Sequence, residues 1–274
     1  MKIFDFDEVI DCNCDLGEGL AIGCDSVAWV DINHDTIYLF RDNKLNTFKS
    51  RFKPSVIYFI KQNELVFGSD AGICCYEISS GNEKLLNSSS FNHCHKSYRS
   101  NDGGFCNDNQ LLSFMHKTDP VENLGYVYLV TDETFQLLDN SLHIPNSFVE
   151  IEPSKILISD SLKGQIWLYQ LDEHGYLLEK TLWAQLDSSI APDGGCLIGD
   201  YVFLTLWDDA SIAVFDKSGM MLEKLSLPII RPTNCKYDAV YSQLWVTSAA
   251  EGLSEEQMRS YPLSGNTIVY NIKL

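Results

Sequence analysis

Six times along this chain a short apolar run of β-forming residues leads into a polar turn and then a second apolar run. A repeat at one period restricts the fold more than any local pattern, because each unit must stack on its neighbours to bury its faces. The units are VAWVDINHDTIYLF at 27–40, LVFGSDAGICCYEI at 65–78, LLSFMHKTDPVENLGYVYLV at 111–130, KILISDSLKGQIWLYQLD at 155–172, YVFLTLWDDASIAVFD at 201–216 and LWVTSAAEGLSEEQMRSYPLSGNTIVYNI at 244–272. Each reads as a β-hairpin, with turn residues such as Lys163-Gly164 and Asp208-Asp209 between the strands. Spread over 274 residues, six units average about 46 residues each, room for four strands and close to the propeller-blade period. Helical patterning is confined to Gly252 through Ser260, where Ser254-Glu255-Glu256 could start a short helix inside a loop.

The sequence therefore predicts an all-β, six-bladed β-propeller occupying residues 1–274 as one domain. A propeller must join its first and last blades to avoid an exposed edge. Lys2-Ile3-Phe4-Asp5-Phe6 reads as a strand ahead of the first full unit, and it is expected to complete the last blade beside Thr267-Ile268-Val269-Tyr270.

A polar residue recurs 13 to 15 positions upstream of each hairpin turn: Glu18, Ser55, Asn101, Asn146, Asp193 and Asn234. Residues of equal phase lie on one face of a propeller, so these six are expected to start the innermost strands and point toward one mouth of the central channel. Turn chemistry explains any one of them, since Asn, Asp, Gly and Pro all favour strand starts. As a set they form a ring of carboxylate and amide oxygens whose basic companion is Arg99. Carboxylates brought together repel unless a cation neutralises them, and oxygen-only donors suit a hard divalent ion such as Ca²⁺, Mg²⁺ or Mn²⁺. The aspartates inside the hairpins, Asp31, Asp70, Asp160 and Asp208, read as turn formers on the blade surface.

At these residues the sequence resembles the regucalcin and gluconolactonase family, the senescence marker protein family of six-bladed propeller lactonases. Leu16-Gly17-Glu18-Gly19 is similar to that family's opening Gly-Glu motif, Arg99-Ser100-Asn101-Asp102-Gly103 to its Arg-x-Asn-Asp-Gly motif, and Pro192-Asp193-Gly194 to its Pro-Asp-Gly motif. Pro145-Asn146-Ser147 stands where the family carries Ser-Asn-Gly, and Arg231-Pro232-Thr233-Asn234 followed by LWVTSA at 244–249 resembles its last-blade signature. The resemblance implies that Glu18, Asn146 and Asp193 ligate one divalent ion, Ca²⁺ favoured and Mg²⁺, Mn²⁺ or Zn²⁺ the alternatives. It implies that Arg99 and Asn101 contact substrate and that Asp193 acts as general base, with Glu18 beside it in the catalytic pair. The implied reaction is hydrolysis of a sugar lactone or related cyclic ester, the metal polarising the carbonyl and water attacking.

The chain departs from the family pattern at Leu20, Ala21 and Ile22, where Pro and Trp are usual, along Phe105 to Met115, and at Ser147, where Gly is usual. The metal-binding positions are kept while the substrate walls differ. A metal-retaining propeller without catalysis, whether calcium-binding or an interaction platform, is the second reading. An ester or phosphotriester hydrolase on the same metal is the third.

Composition closes off other classes. The formal net charge is −18, with 38 acidic against 20 basic residues and no run of Lys or Arg, so nucleic acid is excluded as a partner and a small-molecule lactone is expected instead. The start of the chain lacks a signal-peptide pattern, and no run of about 18 apolar residues exists, so neither secretion nor a membrane is expected and the cytoplasm is. Nine cysteines, scattered without paired CxxC blocks, are expected to be reduced thiols, and His93-Cys94-His95 lacks a partner block for a metal.

Overall fold

In a computed structural model that describes residues 3–88, 96–131 and 134–273, the repeats become six four-stranded antiparallel sheets arranged as the blades of a propeller. Each hairpin expected from the sequence supplies the second and third strands of a blade: Ser26–Asp31 with Thr36–Arg41 in blade 1, for example, and Tyr201–Trp207 with Ser211–Asp216 in blade 5. The innermost strands, one per blade, are Gly17–Ile22, Pro54–Ile60, Tyr98–Cys106, Pro145–Glu152, Ala191–Ile198 and Pro232–Asp238. Middle strands are packed on both sides by neighbouring blades and read as continuous apolar runs. Outer strands alternate; Lys44–Lys49 is mostly exposed.

The strand Ile3–Ile10 pairs antiparallel with Thr267–Lys273 and forms the outer edge of blade 6, closing the ring as expected. Phe4 stacks on Tyr270 with ring centroids 3.8 Å apart. The helical turn expected near Ser254 is Glu255–Ser260, with Ser254 as N-cap and Gln257 completing a capping box. Apolar clusters fill the wedges between blades; one joins Val30, Ile37 and Leu39 of blade 1 to Ile57, Leu65 and Phe67 of blade 2.

Two polar devices hold the blades in phase. Hydroxyls on second strands sit between the carbonyls of their own and the next innermost strand. Ser113 Oγ lies 2.8 Å from Asp102 O and 3.1 Å from Pro145 O, and Thr205 Oγ1 lies 2.8 Å from Gly194 O and 2.9 Å from Thr233 O. The second device corrects an expectation: Asp31 and Asp160 are buried clamps, 1% and 2% exposed, and not surface turn formers. Asp31 accepts the N–H groups of Asp15 and Leu16, and Asp160 those of His143, Ile144 and Leu162, at 2.9–3.3 Å. The chain entering an innermost strand has backbone donors that no sheet partner reaches, and these carboxylates satisfy them. Asp70 serves Ser100 of the next blade in the same manner, at 2.8 Å, whereas Asp208 does lie at the surface, paired with Arg231.

Among the described residues eight cysteines are all free, and no helix is long and apolar enough to cross a membrane. His93, Cys94 and His95 lie outside the described residues.

Candidate functional site

Every innermost strand is bulged at the same phase. Its pairing slips between Glu18 and Ala21, Pro54 and Val56, Ser100 and Gly103, Asn146 and Val149, Pro192 and Gly195, and Pro232 and Asn234. A bulge bends the strand and re-aims the side chains beside it, here toward the axis. The backbone shows what this demands. Ser147 adopts φ 69°, the left-handed region, which accounts for Gly at this position in the family pattern. Gly19 has φ 62°, and a Cβ there would sit 2.3 Å from the Ser55 carbonyl.

Glu18, Arg99, Asn101, Asn146 and Asp193 all line one cavity of about 340 Å³ at a mouth of the channel. Glu18, Asn146 and Asp193 form its buried floor, 8%, 5% and 4% exposed. Asn146 Nδ2 donates to Asp193 Oδ1 at 2.5 Å, and its Oδ1 accepts from Ser147 N at 3.1 Å. The two carboxylates take little else: Glu18 Oε2 accepts from Gly19 N at 3.2 Å, and Asp193 Oδ1 from Gly194 N at 3.0 Å. Arg99 Nη1 donates to Asn101 Oδ1 at 2.8 Å and to Ser100 O at 3.0 Å, so the Arg99 and Asn101 side chains brace each other.

Burial pushes the Glu18 carboxyl well above its ordinary value, and repulsion from Asp193 and Asp102 adds to the effect. Burial followed by Asp102 does the same to Asp193, opposed by the Gly194 N–H, Asn146 and the more distant charge of Arg99. Neither carboxylate forms an ion pair among the described residues. The floor therefore holds two acids whose joint ionisation lacks a compensating partner in direct contact.

Two residues of the expected ring stand elsewhere. In blade 6 Pro232 pairs with Ser248 and Asn234 with Thr247, so the bulged residue is Thr233, and Asn234 falls one position later. One residue of register moves a side chain to the other face. Asn234 lines a separate cavity, with Asp102 and Lys236. Ser55 is fully buried beside Gly19 and does not line the cavity.

Sequence reasoning missed much of that wall. Met115, Ser161, Leu162, Trp207 and Glu251 line it, as do Leu16, Ile144 and Ala191. The first group lies at or just beyond the end of a second strand, the second at or just before the start of an innermost strand. Both kinds of segment emerge on the same rim, so the phase counting that found Glu18 and Asp193 could have found them.

Fold and floor together define a six-bladed propeller with an acidic pocket at one end of its channel. The model of the SMP-30/gluconolactonase/LRE-like region matches residues 16–250, and the chain belongs to that family. Among solved structures it is similar to a calcium-binding protein, regucalcin, from Agrobacterium tumefaciens, at 18% identity and TM-score 0.89 over 99% of this chain and 96% of that one. A luciferin-regenerating enzyme is similar at 18% identity and TM-score 0.82, covering 94% of this chain and 91% of that one. A gluconolactonase from Xanthomonas campestris is similar at 15% identity and TM-score 0.71, covering 100% and 96%.

Proposed function

We propose that this protein is a divalent-metal-dependent hydrolase that opens a lactone ring. The observation that carries the reading is the pair Glu18 and Asp193, both more than nine-tenths buried on one cavity floor with the Asn146 amide and without a paired cation among the described residues. Two desolvated carboxylates are costly together unless a positive charge joins them, and oxygen donors alone favour a hard ion, calcium first and magnesium, manganese or zinc as alternatives. Glu18, Asp193 and Asn146 would hold it. The Asn146 amide now turns its N–H toward Asp193, and half a turn about its last bond brings Oδ1 to the same place. A divalent ion bound there supplies the Lewis acidity that stabilises negative charge on the lactone carbonyl oxygen.

The chain's own groups account for the remaining work. With Asn146 turned, Asp193 Oδ1 keeps only the Gly194 N–H and would face the ion, while Oδ2 accepts no hydrogen bond among the described residues and is the atom to take a proton from the attacking water. As the acyl–oxygen bond breaks, that proton passes to the ring oxygen, giving a hydroxy acid. Arg99 keeps donors of its guanidinium beyond those spent on Asn101 and Ser100, and these face the ester from the cavity wall. Membership in the gluconolactonase family and the similarity to a gluconolactonase support this reading.

Proton release from a lactone panel, with divalent ions and with chelator, tests it. Glu18→Gln and Asp193→Asn together should lower kcat/KM by about 100-fold or more. Turnover that survives both substitutions, or no hydrolysis of any lactone with metal present, overturns the assignment. The similarity to a calcium-binding regucalcin supports a second reading, an ion-binding propeller without catalysis, and tight ion binding with no turnover would select it.

A further inference from the structure

We infer that the lactone taken by this pocket carries an apolar substituent, an alkyl or aryl group on the ring, in preference to the several hydroxyls of an aldonolactone. The inference rests on the lactonase reading and concerns the walls above the floor.

Leu16, Met115, Ile144, Leu162, Ala191 and Trp207 surround the cavity, contributed by blades 1, 3, 4 and 5. An apolar wall rewards an apolar substituent by removing it from water and offers nothing to a hydroxyl. Apart from Ser188 and the remaining donors of Arg99, the polar side chains on the same wall are largely committed within the protein. Asn101 spends its Nδ2 on Pro145 O at 3.0 Å and its Oδ1 on Arg99. Ser161 Oγ donates to Pro192 O at 2.7 Å, and Ser189 Oγ to Asp187 Oδ1 at 2.9 Å. Glu251 accepts from Asn33 Nδ2 at 3.0 Å. A sugar ring entering here would give up water at each hydroxyl and find few groups to replace it, and an unmatched buried hydroxyl is penalised more than a matched one is rewarded.

The apolar wall is also set in advance. The Arg231 guanidinium lies 5.0 Å from the centroid of the Trp207 ring and is itself held by Asp208 at 2.5 Å and by the Glu251 carbonyl. Leu162 sits in a single 3-10 turn, Ser161–Lys163, whose N-terminus Asp160 caps. Side chains fixed before binding lose little freedom when a ligand arrives.

The test compares kcat/KM for δ-decalactone and γ-phenyl-γ-butyrolactone with that for glucono-δ-lactone, in the metal-loaded protein and in Trp207→Ala and Leu162→Asn. Circular dichroism checks that each variant is folded; Leu162 is partly exposed, so its substitution is the milder one. The expected result is a preference of about tenfold or more for the substituted lactones, eroded in both variants. A glucono-δ-lactone rate equal to or above the others overturns the inference, as does a preference that neither variant moves. If no lactone is turned over with any divalent ion, the lactonase reading falls, and calorimetry decides the inference separately. Binding of a 6-alkyl-δ-lactam ahead of the glucono-δ-lactam, weakened by Leu162→Asn, sustains it; equal or reversed affinity ends it.

Discussion

At the scale of single residues, buried charge does two kinds of work, and burial alone does not separate them. Asp160 is as buried as Asp193, yet it accepts three backbone N–H groups from the chain around it, and its Oδ2 lies 2.9 Å from His143 Nδ1. Asp160→Ala would leave those donors without partners and should cost about 2–4 kcal/mol, read as a lower denaturant midpoint at unchanged slope. Glu18 and Asp193 are the converse case, with few donors and mutual repulsion. Glu18→Gln should therefore raise the melting temperature of the metal-free protein while weakening ion binding. A stability lowered by that substitution would contradict the reading of strain on the floor. Asp139 gives the pH test. Burial raises its carboxyl, but Lys180 Nζ at 2.7 Å and the Tyr169 hydroxyl outweigh that and hold it below its ordinary value. A lowered folded value means that the stabilisation is complete above the unfolded value of about 4 and is lost as pH falls through the folded one. Asp139→Asn should flatten the acid limb of the stability curve below about pH 4 and leave its slope near neutrality unchanged.

Among the elements, hairpins were the most legible in the sequence, because alternation and turn residues act over a few neighbouring positions. The closing strand was legible for a different reason, since a ring without it would leave an unpaired edge. Ile3–Ile10 contributes ladder hydrogen bonds along Thr267–Lys273 and the Phe4–Tyr270 stack. Deletion of residues 1–8 should lower the melting temperature by about 5 °C or more, and an unchanged value would mean that blade 6 stands on three strands. Bulges were not legible. Their position depends on how two strands pair, and a count along one strand cannot show that Thr233 and not Asn234 takes the extra place in blade 6.

For the whole molecule, the ring turns distant short segments into one site. Leu16 and Glu251 line the same cavity because the chain ends meet in blade 6, where Ala250 N and Glu251 N donate to the Asp15 carbonyl at 3.0 and 2.8 Å. An ion bound on the floor therefore ties several blades together and should stabilise the fold as a unit. At a hundredfold excess over its Kd such an ion adds about 2.7 kcal/mol, so calcium should shift the melting curve upward and chelator reverse it. A melting curve indifferent to calcium, magnesium, manganese and zinc would remove the metal from the account.

The sequence by itself determined the six hairpin repeats, the closing strand and the positions of Glu18, Arg99, Asn101, Asn146 and Asp193, since periodicity, turn chemistry and motif spacing are properties of the chain in order. Only the tertiary structure decided that Asn234 and Ser55 stand apart from the cavity and that Asp31 and Asp160 hold backbone and not solvent. Those outcomes depend on bulge register and on contacts between blades, which are set by packing across the ring and leave no local trace.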